Sequence, residues 1–68
     1  MASFLQVLRI LKRCKIEEIH AYGRDKLGKR KPHILVDETR INDALVSLSR
    51  KGLVKWNGDG TWELRPDS

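Results

Sequence analysis

Side chains capable of acid–base, nucleophilic or metal chemistry are few in this 68-residue chain. Glu17 and Glu18 are adjacent, so on a helix their carboxylates point in different directions. The remaining metal-binding candidates are Cys14, His20, His33 and Asp37. Their spacing matches no common zinc pattern, and the chain has no glycine-rich phosphate loop. We therefore expect no enzyme, no metal, no cofactor and no small-molecule substrate.

The strongest charge run is Lys29-Arg30-Lys31, and the Gly and Pro on either side of it predict a loop. Residues 28–36 are long for a turn between two helices, and long loops in small domains often carry function. The three cations could contact phosphates beside a helix, or the loop could be solvated and without a role. The same run also fits a nuclear import signal. Residues 33–36 could form a short extended piece over the core.

The net charge of +5 is unevenly distributed. Residues 1–33 carry nine Lys/Arg against three Asp/Glu, for +6, whereas residues 34–68 carry five against six, for −1. A small basic domain with a clustered basic segment fits attraction to a polyanion.

The elements that must position these cations begin with an amphipathic helix in the second half. Ile41, Leu45 and Leu48 recur at helical spacing, and Asp37 or Thr39 can cap the N-terminus. The opposite face is short-chained and polar, as expected of a helix that contacts base edges. It carries Thr39, Asn42, Asp43, Val46, Ser47 and Arg50.

A glycine stop at Gly52 ends this helix and a β-hairpin follows. A three-residue loop at positions 58–60 sets the register. It pairs Asn57 with Thr61, Trp56 with Trp62, Lys55 with Glu63 and Val54 with Leu64. Facing aromatics and facing opposite charges are both favourable cross-strand pairs. We expect both tryptophans to be largely shielded on one face as core residues; alternatively, Trp62 touches a ligand.

The first half predicts two helices. Ser3 and Gln6 have capping-box spacing, and the first helix should end near Arg13 or Cys14. Its core stripe is Phe4, Val7, Leu8 and Leu11. Leu5 and Ile10 widen the apolar arc to more than half the circumference. Either a small core wraps this helix, or Phe4, Leu5 or Ile10 forms a homodimer contact.

The second helix should run from Ile16 to Lys26 or Leu27. Gly23 within it predicts a kink or a close helix crossing, because glycine is a poor helix former. Lys15-Ile16 could form a short strand between the first two helices.

Length and cysteine usage restrict the number of domains and the cellular location. Residues 1–68 allow one domain with a small core. The single cysteine cannot form an internal disulfide, which favours a reducing, cytoplasmic or nuclear location. No apolar run approaches the roughly 20 residues that span a bilayer, and the first residues do not match a secretory signal.

The order of helix, helix, basic loop, helix and hairpin, with Lys51-Gly52-Leu53-Val54 between the last two, resembles the winged helix-turn-helix superfamily. In that family the third helix usually enters the major groove and the wing touches the backbone or minor groove. By position, the resemblance implies groove-reading residues Arg40, Asn42, Asp43, Val46, Ser47 and Arg50. It also implies wing contacts at Lys55, Asn57, Gly58 and Thr61.

One subfamily, the Z-conformation nucleic-acid-binding domains, is similar in Asn42, in the exit at residues 47–52 and in Trp62. Those domains also have a Tyr four residues after the Asn and a pair of wing prolines. Here Val46 stands at the Tyr position, and the wing has Gly58-Asp59-Gly60. Z-form recognition is therefore not expected.

The sequence thus predicts an α+β fold: a small winged helix with three helices and a two-stranded β-hairpin wing. The expected function is double-stranded DNA binding in transcriptional or replication regulation. A winged helix that contacts only protein is the alternative. RNA binding is less favoured, because no exposed aromatic residues are expected for base stacking.

Overall fold

The computed structural model describes residues 3–65, and the predicted α+β architecture is present there. The helices are α1 (Phe4–Leu11), α2 (Ile16–Tyr22) and α3 (Glu38–Arg50). An antiparallel hairpin of β1 (Val54–Trp56) and β2 (Trp62–Leu64) follows them. This order is compatible with a small winged-helix shape.

Helix α1 begins with the predicted capping box. The Ser3 hydroxyl accepts from the Gln6 N–H at 3.2 Å, and the Gln6 side chain accepts from the Ser3 N–H at 3.1 Å. The helix ends at Leu11, earlier than the predicted Arg13 or Cys14. The reason is Lys12, whose φ of 61° turns the chain out of the helix.

This early end lets the α1–α2 connection pair with the hairpin. The Cys14 N–H donates to the Trp62 carbonyl at 2.9 Å, and the Trp62 N–H donates to the Cys14 carbonyl at 2.7 Å. The strand predicted at Lys15-Ile16 is thus a single bridge at Cys14, and Ile16 already belongs to α2. The bridge places the wing against the first two helices.

Helical structure after α2 continues to Leu27, as predicted, but residues Gly23–Leu27 form a π-helical turn. Gly23 marks a close approach. A Cβ at this position would lie 3.1 Å from the Leu35 Cβ. The neighbour is not a crossing helix but the 3₁₀ turn His33–Val36, which the sequence predicted to be extended. That turn places Leu35 in the core, fully buried.

Helix α3 is capped by Asp37, whose side chain accepts from the Arg40 N–H at 2.8 Å. It packs on the core through Ile41 and Leu45, which are both fully buried. Gly52, with φ of 79°, follows the helix as its predicted stop residue.

The hairpin has the predicted register, with Trp56 opposite Trp62 and Lys55 opposite Glu63. Gly58 and Gly60 both have positive φ at the tip, which explains the two glycines there. The prediction that both tryptophans are core residues is wrong for Trp56. Its side chain is 49% exposed, whereas Trp62 is 7% exposed.

Candidate functional site

The side of α3 opposite Ile41 and Leu45 is exposed and polar. Five of the predicted groove residues are exposed: Arg40, Asn42, Asp43, Ser47 and Arg50. Thr39 is also exposed, whereas Val46 is half-buried against the core. The helix therefore presents short polar side chains and two guanidinium groups to a ligand.

The charge on α3 itself is balanced. Within Glu38–Arg50 the two acids Glu38 and Asp43 offset the two arginines, and Arg40 also lies 3.6 Å from a carboxylate oxygen of the N-cap Asp37. Arg50 forms no ion pair with any residue between 3 and 65. Attraction of a polyanion to this helix must therefore come from cations on other elements.

The basic segment, Lys29-Arg30-Lys31, lies in the chain between α2 and α3. Gly28–Arg30 form a 3₁₀ turn, and the Lys31 N–H donates to the Gly28 carbonyl at 3.3 Å. Lys29 and Arg30 are exposed and Lys31 is half-buried. Within the described residues none of the three forms an ion pair, so their charges remain available to a partner.

Arg13, in the α1–α2 connection, forms hydrogen bonds with the tip of the wing. Its guanidinium donates to the Thr61 hydroxyl at 3.1 Å and to the Asp59 carboxylate. The Asn57 amide also donates to the Thr61 hydroxyl at 3.1 Å. Of the predicted wing contacts, Asn57 and Thr61 thus hold the hairpin together. Lys55 is exposed, with no ion pair in residues 3–65.

Asp59 is the acid-sensitive group of this tip. Hydrogen bonds from the Thr61 hydroxyl and backbone N–H, and then from Arg13, lower the pKa of Asp59 to about 2. A carboxyl group whose pKa is lowered on folding stabilises the fold above its unfolded pKa of about 3.9. That contribution is lost as the pH falls through about 2.

We expect Asp59→Asn to flatten the acid dependence of stability between about pH 4 and pH 2, because the substituted amide does not titrate there. Tryptophan fluorescence during urea unfolding at several pH values would measure it. Asp43→Asn is the control, since Asp43 forms no hydrogen bond or ion pair with residues 3–65. An acid dependence as steep in Asp59→Asn as in the parent would contradict the assignment.

A groove lies between the N-terminus of α2, helix α3 and the wing. Its volume is about 440 Å³. It is lined by Lys15, Ile16, Glu17, Asn42, Trp56, Asp59, Gly60 and Trp62. A neighbouring groove shares Ile16, Glu17 and Asn42 and extends to Thr39. The structure thus brings Asn42 beside the wing.

Ser47 lies elsewhere, in an apolar groove of about 390 Å³ between α1 and α3. This apolar groove is lined by Ser3, Phe4, Leu5, Ile34, Ala44, Ser47 and Leu48. The predicted groove-reading residues therefore do not share one surface: Asn42 faces the wing side of α3 and Ser47 the α1 side.

The three residues proposed for a homodimer contact also do not lie on one surface. Phe4 is 7% exposed and belongs to the protein's own core, and its remaining surface lies in the apolar groove. Leu5 lines the apolar groove, whereas Ile10 is 58% exposed. Five positions along an α-helix correspond to a rotation of about 140°, so these two side chains point to different sides.

Trp56 is the residue of this region that sequence reasoning missed. Its ring centroid lies 4.8 Å from that of Trp62, at an interplanar angle of 52°. Cross-strand pairing showed that the rings share a face but not which of them the helices cover. No signal in the sequence distinguished them, because the difference follows from the pairing of Trp62 with Cys14, a distant residue.

Cys14 is structural in this arrangement. Its side chain is buried, and burial, with a smaller contribution from Glu18, raises the pKa of the thiol to about 11. The thiol is therefore protonated at neutral pH and is a poor nucleophile.

No group of three or more His, Cys, Asp or Glu side chains in residues 3–65 is arranged to hold a metal ion. In the same part of the chain no helix is both long and apolar enough to cross a membrane. Comparison with protein-family models, curated proteins and solved structures found no match.

Proposed function

We propose that this chain is a winged-helix module that binds double-stranded DNA as a transcriptional or replication regulator. The observation that carries the proposal is the position of α3. The helix is held to the core by Ile41 and Leu45, and its exposed side is polar and adjoins an antiparallel wing. A helix presented in this way suits insertion into the major groove.

The distribution of charge suggests that phosphate contacts and base contacts come from different parts of the protein. Because α3 is nearly neutral, phosphate contacts are assigned to Lys29, Arg30, Lys31 and Lys55. Base contacts are assigned to Arg40, Asn42 and Arg50, whose side chains reach out from the exposed side of the helix. The net charge of +5 favours association with a polyanion of any sequence.

The deciding experiment is an anisotropy titration of labelled random-sequence duplex DNA at two salt concentrations. We expect measurable binding at low salt that weakens as salt rises, because binding releases condensed counterions. Failure to bind duplex DNA at low salt would remove the proposal.

A second candidate function is protein contact, which the apolar groove between α1 and α3 favours. Leu5, Ile34 and Leu48 line that groove, and Ile34 is 36% exposed. An apolar surface of this kind beside a helix is typical of protein interfaces. We propose a second copy of the chain as the occupant of this groove.

We expect sedimentation at micromolar concentration to detect a homodimer. Leu5→Glu should dissociate it, because a carboxylate at the groove would be buried on association. Ile10→Glu is the matched control, since Ile10 lies on the other side of α1. A monomer at all concentrations would contradict the dimer, and dissociation by Ile10→Glu alone would move the contact to that side.

A further inference from the structure

The groove between α2, α3 and the wing combines an aromatic surface with hydrogen-bonding groups. Trp56 presents about half of its surface to solvent and lies at the groove beside Trp62. The Asn42 side chain forms no hydrogen bond with residues 3–65, so its donors and acceptor are available. The volume of about 440 Å³ falls in the range of small-molecule pockets.

Trp62 forms the buried part of this groove. Its side chain is more than nine-tenths buried at this groove, and its indole Nε1 has no hydrogen-bond partner among the described residues. Buried N–H donors are rarely left without an acceptor, because the lost hydration is not replaced. Because the Nε1 atom itself is enclosed by protein, Trp62 contributes apolar ring surface to the groove and not a hydrogen bond to a ligand.

The charges at the groove decide against a phosphate and in favour of a neutral ring. Lys15 is balanced by Glu17, and the Asp59 carboxylate is already bonded to Arg13. No excess of positive charge remains to hold a phosphate. A flat, uncharged group with hydrogen-bonding edges suits an aromatic surface next to an amide.

We propose that this groove binds an unpaired nucleobase, stacked on Trp56 and hydrogen-bonded at its edge by Asn42. The inference rests on the proposed DNA-binding function and deepens it. The basic segment and Lys55 hold the phosphates of the flanking duplex, and the groove takes a base that is displaced from its stack. The preferred ligand is then a duplex with an extrahelical base, not a perfectly paired one.

The test compares two short duplexes of the same sequence, one perfectly paired and one with a single extrahelical adenine. We expect the parent protein to bind the bulged duplex about tenfold more tightly, as stacking of one base on an aromatic side chain provides. In Trp62→Phe only Trp56 emits as tryptophan, and the bulged duplex should quench that emission more than the paired one.

The matched variants are Trp56→Ala, Trp56→Phe and Lys55→Ala. We expect Trp56→Ala to abolish the preference for the bulge without weakening paired-duplex binding, and Trp56→Phe to retain most of it. Lys55→Ala should weaken both complexes equally. Circular dichroism of each variant verifies folding, which is expected to persist because Trp56 and Lys55 are both exposed.

The outcomes separate this inference from the proposed function. Equal binding of both duplexes by the parent overturns the nucleobase site and leaves duplex binding intact. The same holds if Trp56→Ala weakens both complexes equally, since the ring would then contact the duplex itself. Absence of binding to either duplex at low salt overturns both proposals.

Discussion

Trp62→Ala should unfold a large fraction of the protein at 25 °C. Trp62 is the large aromatic of the core, and truncating a buried Phe or Trp costs about 3–5 kcal/mol. A domain of this length has a free energy of unfolding of about 3–10 kcal/mol, at about 0.05–0.15 kcal/mol per residue. The loss is therefore comparable with the whole stability. Urea unfolding followed by circular dichroism measures it.

Two variants of the same hairpin serve as controls. Trp56→Ala should cost clearly less, because about half of that ring is already in water. Trp62→Phe should also cost less than Trp62→Ala, since it keeps most of the ring volume and removes the unpartnered Nε1. If Trp56→Ala proved as damaging as Trp62→Ala, the difference in burial between the two rings would be wrong.

Replacing Lys29, Arg30 and Lys31 together by alanine should weaken binding to all duplex sequences about equally. Phosphate contacts carry no sequence information, so affinity falls without a change in preference. The slope of log affinity against log salt concentration should become shallower by roughly 0.9 for each phosphate that the variant no longer neutralises. Anisotropy titrations over a salt series measure both effects. A charge-conserving triple variant, Lys29→Arg, Arg30→Lys and Lys31→Arg, should bind as the parent does.

Substitutions on α3 provide the contrasting result. Asn42→Ala or Arg50→Ala should erode discrimination between duplex sequences by about 1–3 kcal/mol if a bidentate base contact is removed. If the triple alanine variant kept the parent's affinity and salt slope, and neither α3 variant changed the discrimination between sequences, the basic segment would be only a solvated turn. Protein contact would then be the better proposal.

Features set by neighbouring residues could be predicted from the sequence. The capping box at Ser3 and Gln6, the cap at Asp37 and the stop at Gly52 each depend on a few adjacent positions. The hairpin register is similarly local, because two glycines at the tip leave one pairing that matches the tryptophans and the charges. The capping box, the stop and the register are confirmed, and of the two candidate caps, Asp37 and Thr39, the structure has Asp37.

Features set by distant contacts could not be predicted. Helix α1 ends early where the chain turns at Lys12 to reach β2, and no residue near Lys12 signals that. The turn at residues 33–36 is 3₁₀ rather than extended because it brings Leu35 against Gly23. Exposure of Trp56 depends on how many rings the helices can cover, which periodicity does not specify.

In the candidate site, too, local features could be predicted and features set by distant contacts could not. The exposed side of α3 followed from helical periodicity, but the separation of Asn42 from Ser47 depends on where the wing and α1 lie. The sequence does not indicate a role for Arg13, although it bonds two residues of the wing tip. Its contact with Thr61 joins positions 48 apart in the chain, beyond the reach of a local pattern.

The pairing of Cys14 with Trp62 also determines when the wing can form during folding. A two-stranded hairpin alone is at best marginally stable in water, so the strands gain persistence only when the α1–α2 connection docks on them. Closing so long a segment of chain loses conformational entropy before any contact compensates for it. The helices should therefore assemble first and the wing last. By the reverse of the same path, the wing should open first on unfolding, while the helices are still assembled.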